Sequence, residues 1–235
     1  MTSTDQPTRA MVLSSGGVDS TTCLALACEQ FGADNVTSVS VFYGQRHNKE
    51  LACADAVAKH YGVAHHVLDL ANILANSNNA LMAGSTQEID HRDYATQIAE
   101  NEDGMVNTYV PFRNGLMLSA VAALAISLNP TEKTAIYLGA HADDAAGGAY
   151  PDCTPEFFEA MGRAIELGSY GKAVLREPFV NANKADVVAC GLKLGVPYEL
   201  TWSCYEGGDV PCGTCATCID RAKAFAANGV ADPAL

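Results

Sequence analysis

Apolar residues first form a short unbroken run, AMVLS at 10–14, and then recur at helical spacing through TTCLALACEQF, with a glycine-containing turn between the two. The unbroken run fits a strand buried on both faces, and the spacing of three or four residues fits a helix with one apolar stripe. The same alternation continues along the chain. VTSVSVFYG (36–44) predicts a second strand, KELACADAVAKHYG (49–62) a helix closed by glycine, and AHHVLDL (64–70) a third strand. After a break in the pattern, GLMLSAVAALAISL (115–128) predicts a buried helix and TAIYLGA (134–140) a strand. TPEFFEAMGRAIELG (154–168) follows as a helix with Thr154 as its N-cap. A turn at Pro178 precedes KADVVACGLKLG (184–195), a helix ended by Gly195 and Pro197. Strands alternating with helices predict an α/β fold: a mostly parallel sheet with helices on both faces.

Between Ala75 and Asn107 the periodicity fades into SNN, Gly84, a scatter of acidic residues and Gly104. This stretch is expected to be a mobile loop or lid with one short helix. No internal repeat or low-complexity segment interrupts the chain.

Composition narrows the classes of function. The chain has 235 residues, 49% of them hydrophobic and 17% charged, which is globular composition. It is expected to form one α/β domain over 1–235. A formal charge of −13, from 14 Lys and Arg against 27 Asp and Glu, makes the mean field repel a phosphate backbone. Nucleic acid is therefore not expected as a direct partner. Arg46, Arg113, Lys172, Arg176 and Lys184 can still supply local positive charge within a cleft. The first residues, MTSTDQPTRA, lack the pattern of a signal peptide, and the apolar stretch 116–128 is too short to span a bilayer. A cytoplasmic protein without membrane contact is expected. In that compartment the nine cysteines are reduced thiols or metal ligands.

Candidate chemistry begins at the first turn. SGGVDS (15–20), followed by Thr21 and Thr22, lies between the first strand and the first helix. The glycines let the backbone approach a ligand closely, and the amides opening the helix favour an anion. Ser15, Ser20 and Thr21 add hydroxyl donors, while Asp19 can orient a hydrated Mg²⁺ or the loop itself. A bare pair of glycines would more often be only a turn, but the complete string in this position is more specific. No GxxxxGK[ST] motif occurs, and no GxGxxG follows a strand. The loop resembles that of the N-type ATP pyrophosphatases. That resemblance implies that it holds the β- and γ-phosphates while a nucleophile or carboxylate attacks the α-phosphorus.

Cys204, Cys212, Cys215 and Cys218 follow C-x7-C-x2-C-x2-C near the C-terminal end, with Gly213 permitting a tight turn. Four thiolates so close suit a tetrahedral Zn²⁺ with no open position for water, hence a structural ion, and they define 198–235 as a zinc-binding subregion. An iron–sulfur cluster is the rival, disfavoured by the close ligand spacing and the absence of a redox cofactor motif. Cys23, Cys28, Cys53 and Cys190 read as small buried hydrophobes, and Cys153 is left undecided. His60, His65, His66 and His91 show no metal-like spacing.

SGGVDSTTCL (15–24), FYGQRH (42–47), NTYVPFRN (107–114), GAHADDAAGGAYPDC (139–153), TWSCY (201–205) and CGTCATC (212–218) together resemble the 7-cyano-7-deazaguanine synthases, the QueC family of queuosine precursor biosynthesis. The resemblance extends over nearly the whole chain. It implies a Rossmann-like, HUP-type fold and a commonly homodimeric ligase. The implied substrates are 7-carboxy-7-deazaguanine, ATP with Mg²⁺ and free ammonia, which give the nitrile through an adenylated acid and an amide that is adenylated in turn. Residue by residue, it implies that Ser14, Ser15, Gly16, Gly17, Val18, Asp19, Ser20, Thr21, Thr22, Cys23 and Leu24 carry the ATP loop. It implies a ligand contact for Arg46 and zinc ligation for the four C-terminal cysteines. Lys184 and Arg113 become candidates for neutralising the transferring phosphoryl group, or else are surface bases.

Asp152 becomes an acceptor for a guanine-like amino edge, or else a cap for the helix near Thr154. His141, Asp143 and Asp144, after the end of a strand, are substrate contacts or loop polarity. Thr154 and Thr201 replace residues common in the family, and 75–106 departs most from it. The competing readings are another adenylating pyrophosphatase with a different acceptor and a non-catalytic zinc-stapled binding protein.

Overall fold

A computed structural model describes residues 6–101, 105–145 and 148–234. Its elements run in the order β1 (Arg9–Leu13), α1 (Val18–Phe31), β2 (Val36–Phe42), α2 (Lys49–Tyr61), β3 (Ala64–Asp69), α3 (Ala71–Leu74), α4 (Tyr94–Glu100) and α5 (Arg113–Leu128). They continue with β4 (Thr134–Tyr137), α6 (Ala142–Ala145), α7 (Pro155–Gly168), β5 (Ala173–Arg176), α8 (Lys184–Lys193) and α9 (Ala216–Ala227). The strands pair in parallel in the order β3-β2-β1-β4-β5. The predicted α/β class with helices around a parallel sheet is therefore the observed one. From β1 the chain first winds one way to β2 and β3, then crosses to β4 and β5. Strand order reverses between β1 and β4, where sheets of this kind open a crevice at their C-terminal ends.

Side-chain alternation along β1 divides the interior in two. Met11 and Leu13 point to one face with Val39, Ile136 and the α5 residues Leu118, Val121 and Ala125. Ala10 and Val12 point to the other, against Cys23, Leu24 and Ala27 of α1. A third cluster joins Val18 and Ala25 of α1 to Val188 of α8 and to Ala224 and Phe225 of α9. Burying each of the larger side chains is worth about 2 kcal/mol.

The predicted elements appear with boundaries shifted by a few residues. Thr154 does cap α7, accepting from the Phe157 amide at 3.2 Å. Four elements were not anticipated, among them the four-residue helices α3 and α6. The four-residue β5 hides between Lys172 and Glu177, and α9 begins inside the cysteine pattern, where ligand spacing masks helical periodicity. Within 75–107 the expected short helix is present as α4, but the segment is packed more closely than its polarity suggests. Ala80, Leu81, Met82, Ile89 and Val106 join the larger core. Gly104 lies outside the described residues. No helix among the described residues is long and apolar enough to cross a membrane.

Candidate active site

β1 is buried from Ala10 to Leu13, and the turn that follows leaves the sheet sharply. At Gly16 φ is +79°, and a Cβ there would lie 2.3 Å from the Glu50 carbonyl oxygen and 2.7 Å from the Ala54 amide. Only glycine fits the turn against α2. The loop is tied internally: the Ser15 amide donates to Ser20 Oγ at 3.1 Å, the two hydroxyls stand 3.1 Å apart, and the Gly17 amide donates to Ser15 Oγ at 3.3 Å. Gly17 caps α1 without a side-chain hydrogen bond, leaving the positive end of a 14-residue helix directed at the crevice.

That crevice has a volume of about 240 Å³ and takes Ser14, Ser15, Gly17, Asp19, Ser20 and Arg46 into its lining. The other proposed loop residues are placed elsewhere. Gly16 is wedged on α2, whereas Val18, Thr21, Thr22, Cys23 and Leu24 are buried. Once the helix has begun, its inward stripe belongs to the core: Thr22 Oγ1 meets Tyr198 Oη at 2.8 Å, and Cys23 and Leu24 pack behind the sheet.

Lys184 opens α8, where Asn183 and Asp186 form a reciprocal capping box. Its Nζ donates to Asp19 Oδ2 at 3.0 Å and lies 3.4 Å from His141 Nε2. Burial pushes the Asp19 carboxyl up, but Lys184 and His141 more than offset this and hold it below the ordinary range. Burial likewise opposes the charge on Lys184, yet Asp19 and Asp144 raise its pKa, so the ammonium persists. Asp144 is itself pushed up by burial and stands 3.5 Å from His141 Nε2. Asp143 accepts from the Lys184 amide at 2.8 Å. A cation is thus fixed opposite the loop by residues from α1, α6 and α8.

A second cation, Arg113, occupies the other half of the crevice as the first residue of α5. Phe112, just before it, adopts a left-handed φ of 53°, a strained conformation that turns the chain into the helix. The guanidinium lies 5.6 Å from the Tyr43 ring centroid. Around it, Tyr94 Oη meets Tyr205 Oη at 2.7 Å, the Tyr94 and Tyr150 rings meet edge-on at 5.6 Å, and Tyr150 Oη meets Thr108 Oγ1 at 2.6 Å. Arg46 is at the rim and donates to the Gln87 carbonyl at 2.6 Å.

Asp152 does not line this space. Its Oδ2 accepts from the Asn114 amide at 2.9 Å, while Asn114 Nδ2 donates to Asp152 O at 3.0 Å. The carboxylate therefore satisfies the first turn of α5, neither facing the crevice nor capping the helix at Thr154. Several lining residues had no role assigned from sequence: Glu50, Tyr43, Tyr94, Trp202, Tyr205 and Asp220. Tyr43, Trp202 and Tyr205 lie inside quoted family segments, so adjacency to a motif was the available signal. Tyr94 and Asp220 carried none.

The four C-terminal cysteines converge, with their sulfurs all within 4.8 Å of one another. Tetrahedral zinc–thiolate bonds of about 2.3 Å would put sulfurs about 3.8 Å apart, so the donor set fits one metal ion held only by thiolates. The Cys212 amide donates to Cys204 Sγ and the Cys215 amide to Cys212 Sγ, each at 3.3 Å. Gly213 supplies the turn with φ +74°. Because Cys215 is the N-cap of α9, Thr217 and Asp220 in the crevice wall lie within the first two turns from the cluster.

Residues 9–229 match the family described as "Queuosine biosynthesis protein QueC". The chain is 41% identical over 228 residues to a 7-cyano-7-deazaguanine synthase of Archaeoglobus fulgidus, covering 97% of this chain and 90% of that one. It is 43% identical over 235 residues to the protein of the same name from Thermoplasma volcanium, with the same shares covered. Solved structures with similar chains include an NH3-dependent NAD synthetase from Campylobacter jejuni, 13% identical with a TM-score of 0.46 over 83% of this chain and 67% of that one. An NMN synthetase from Francisella tularensis is 12% identical, with a TM-score of 0.48 over 87% and 70%.

Proposed function

This chain belongs to the QueC family, and from that premise we propose that its crevice converts 7-carboxy-7-deazaguanine and ammonia to 7-cyano-7-deazaguanine at the expense of ATP. The observation that carries the assignment to this site is the pairing of the SGGVDS turn with Lys184, a hydrogen-bonded anion cradle facing a partly buried ammonium.

The terminal phosphates of ATP with Mg²⁺ are assigned to Ser14, Ser15, Gly17 and Ser20, with Asp19 on the cation side and Lys184 neutralising charge as the α-phosphorus is attacked. The flat heterocyclic acid is assigned to the half lined by Tyr43, Tyr94, Tyr150 and Tyr205, with Arg113 beside its carboxylate. A carboxylate resists ammonia until it carries a leaving group. Adenylation supplies AMP for the first displacement, and adenylation of the amide oxygen supplies it again for loss of the second oxygen. One crevice serves both rounds.

The four cysteines would hold a structural Zn²⁺ whose chemistry is to fold the 198–235 subregion onto the rest of one α/β unit. The charge of −13 supports a small-molecule role without direct nucleic acid contact. Five cysteines outside the cluster are free thiols, which suits the cytoplasm. A homodimer is part of the same reading and predicts about twice 24.6 kDa by light scattering. The decisive experiment incubates the purified protein with ATP, ammonium and 7-carboxy-7-deazaguanine and follows the products by mass spectrometry. AMP, the amide and then the nitrile are expected, and an absence of acid-dependent AMP would sink the proposal.

A further inference from the structure

We infer that Glu50 is the proton acceptor for the nitrogen chemistry of this site. The inference rests on the reading just given and adds a residue to it. Glu50 is the second residue of α2, and its backbone carbonyl lies against Gly16, so the loop and the carboxylate belong to one wall of the crevice. None of the hydrogen bonds or ion pairs among the described residues reaches the Glu50 side chain. Lys49, its neighbour, is directed away, with Nζ 4.4 Å from the Trp202 ring centroid and bonded to the Gly208 carbonyl. The charged and titratable groups that Glu50 faces are Arg113 from α5, Tyr43 from the end of β2, and Cys53 on its own helix.

A carboxylate without a close partner, beside a cradle for phosphate, disfavours binding of the polyanion. It suits a site that must receive ammonium and release ammonia. Burial, only partly countered by Arg113, raises its pKa to about 7, which matches a base working at neutral pH.

In the first round a Glu50 oxygen takes a proton from ammonium. The freed nitrogen lone pair bonds to the acyl carbon, the carbon–oxygen bond to AMP breaks with its electron pair going to the phosphate oxygen, and the nitrogen's surplus proton leaves with solvent. In the second round Glu50 takes the N–H proton of the O-adenylated amide. That electron pair becomes the third carbon–nitrogen bond as AMP departs, and Glu50 returns its proton to water between rounds.

The test separates adenylation from amidation in the wild type and in Glu50→Gln. Acid-dependent exchange of pyrophosphate into ATP, measured without ammonium, reports the first step and also that the variant is folded. Amide formation measured with ammonium reports the second. The variant is expected to keep exchange within about threefold while amide formation falls ~100-fold or more. The wild-type amidation rate at fixed total ammonium should rise with pH and level off above about 7. The variant should instead climb without a break toward the pKa of ammonium itself. Amidation at the wild-type rate in the variant, or equal loss of exchange and amidation, would overturn the assignment. If the wild type shows no exchange, the functional reading itself falls and this assignment with it.

Discussion

At Lys184 a partly buried ammonium, 11% exposed, meets a carboxylate 23% exposed, and each keeps the other ionised. Asp19 therefore helps keep the Lys184 ammonium charged at the phosphate turn against the cost of burial. Lys184→Met is expected to lower acid-dependent AMP formation by ~10²-fold or more, measured as kcat with ATP saturating. Glu50 shows the opposite balance. Burial lifts its pKa from 4.5 to about 7 in the folded protein, so the unfolded chain ionises first as pH rises. The folded state is thus penalised progressively between about pH 4.5 and 7, by about 3 kcal/mol once both states are ionised. Thermal unfolding of Glu50→Gln should match the wild type at pH 4 and show a higher midpoint at pH 8. A group that weakens the fold at working pH while lining the crevice is the kind of trade-off functional sites carry.

Among the elements, α9 has the most to hold in place. It brings Asp220 into the crevice and closes the third core cluster with Phe225, and it is anchored by a buried pair in which Arg221 Nε and Nη2 donate to Asp232 at 2.6 and 2.8 Å. The same guanidinium donates to Thr201 Oγ1 at 2.9 Å and to the Tyr198 carbonyl at 3.3 Å, tying the segment after α8 to the C-terminal end. Removing one member leaves the other charge buried and unpaired. Asp232→Ala is expected to cost about 3 kcal/mol, read from the midpoint of urea unfolding, with pyrophosphate exchange weakened in proportion to the unfolded fraction. Against the turn at Gly16, the wedge between α1 and α2 has no such redundancy, because the two nearest contacting atoms, Glu50 O and Ala54 N, are backbone.

At the scale of the whole molecule, the cysteine cluster lies at the start of α9, the last helix. Purified protein is expected to carry about one zinc per chain by elemental analysis, and stripping it with a thiol-competing chelator should lower the thermal midpoint by ~10 °C, reversibly on zinc addition. Sequence alone determined the features that are local in the chain. These were the β1–turn–α1 unit, whose ligands lie within a few residues, the cysteine spacing, and the alternation of strand and helix that requires a parallel sheet. Short range is what made them legible, since period, capping and ligand spacing are all read within one or two turns of chain.

Tertiary structure alone decided which side of α1 faces the crevice and which faces the core, so that Asp19 and Ser20 line the site while Thr22 to Leu24 do not. It also turned Asp152 to α5, revealed β5 and α9, and brought Glu50, Tyr94 and Tyr205 around Arg113. Those groups are separated by tens of residues, and nothing in a linear pattern encodes their meeting. They meet because strand order reverses between β1 and β4, which opens one crevice at the end of the sheet and directs several otherwise unrelated loops into it.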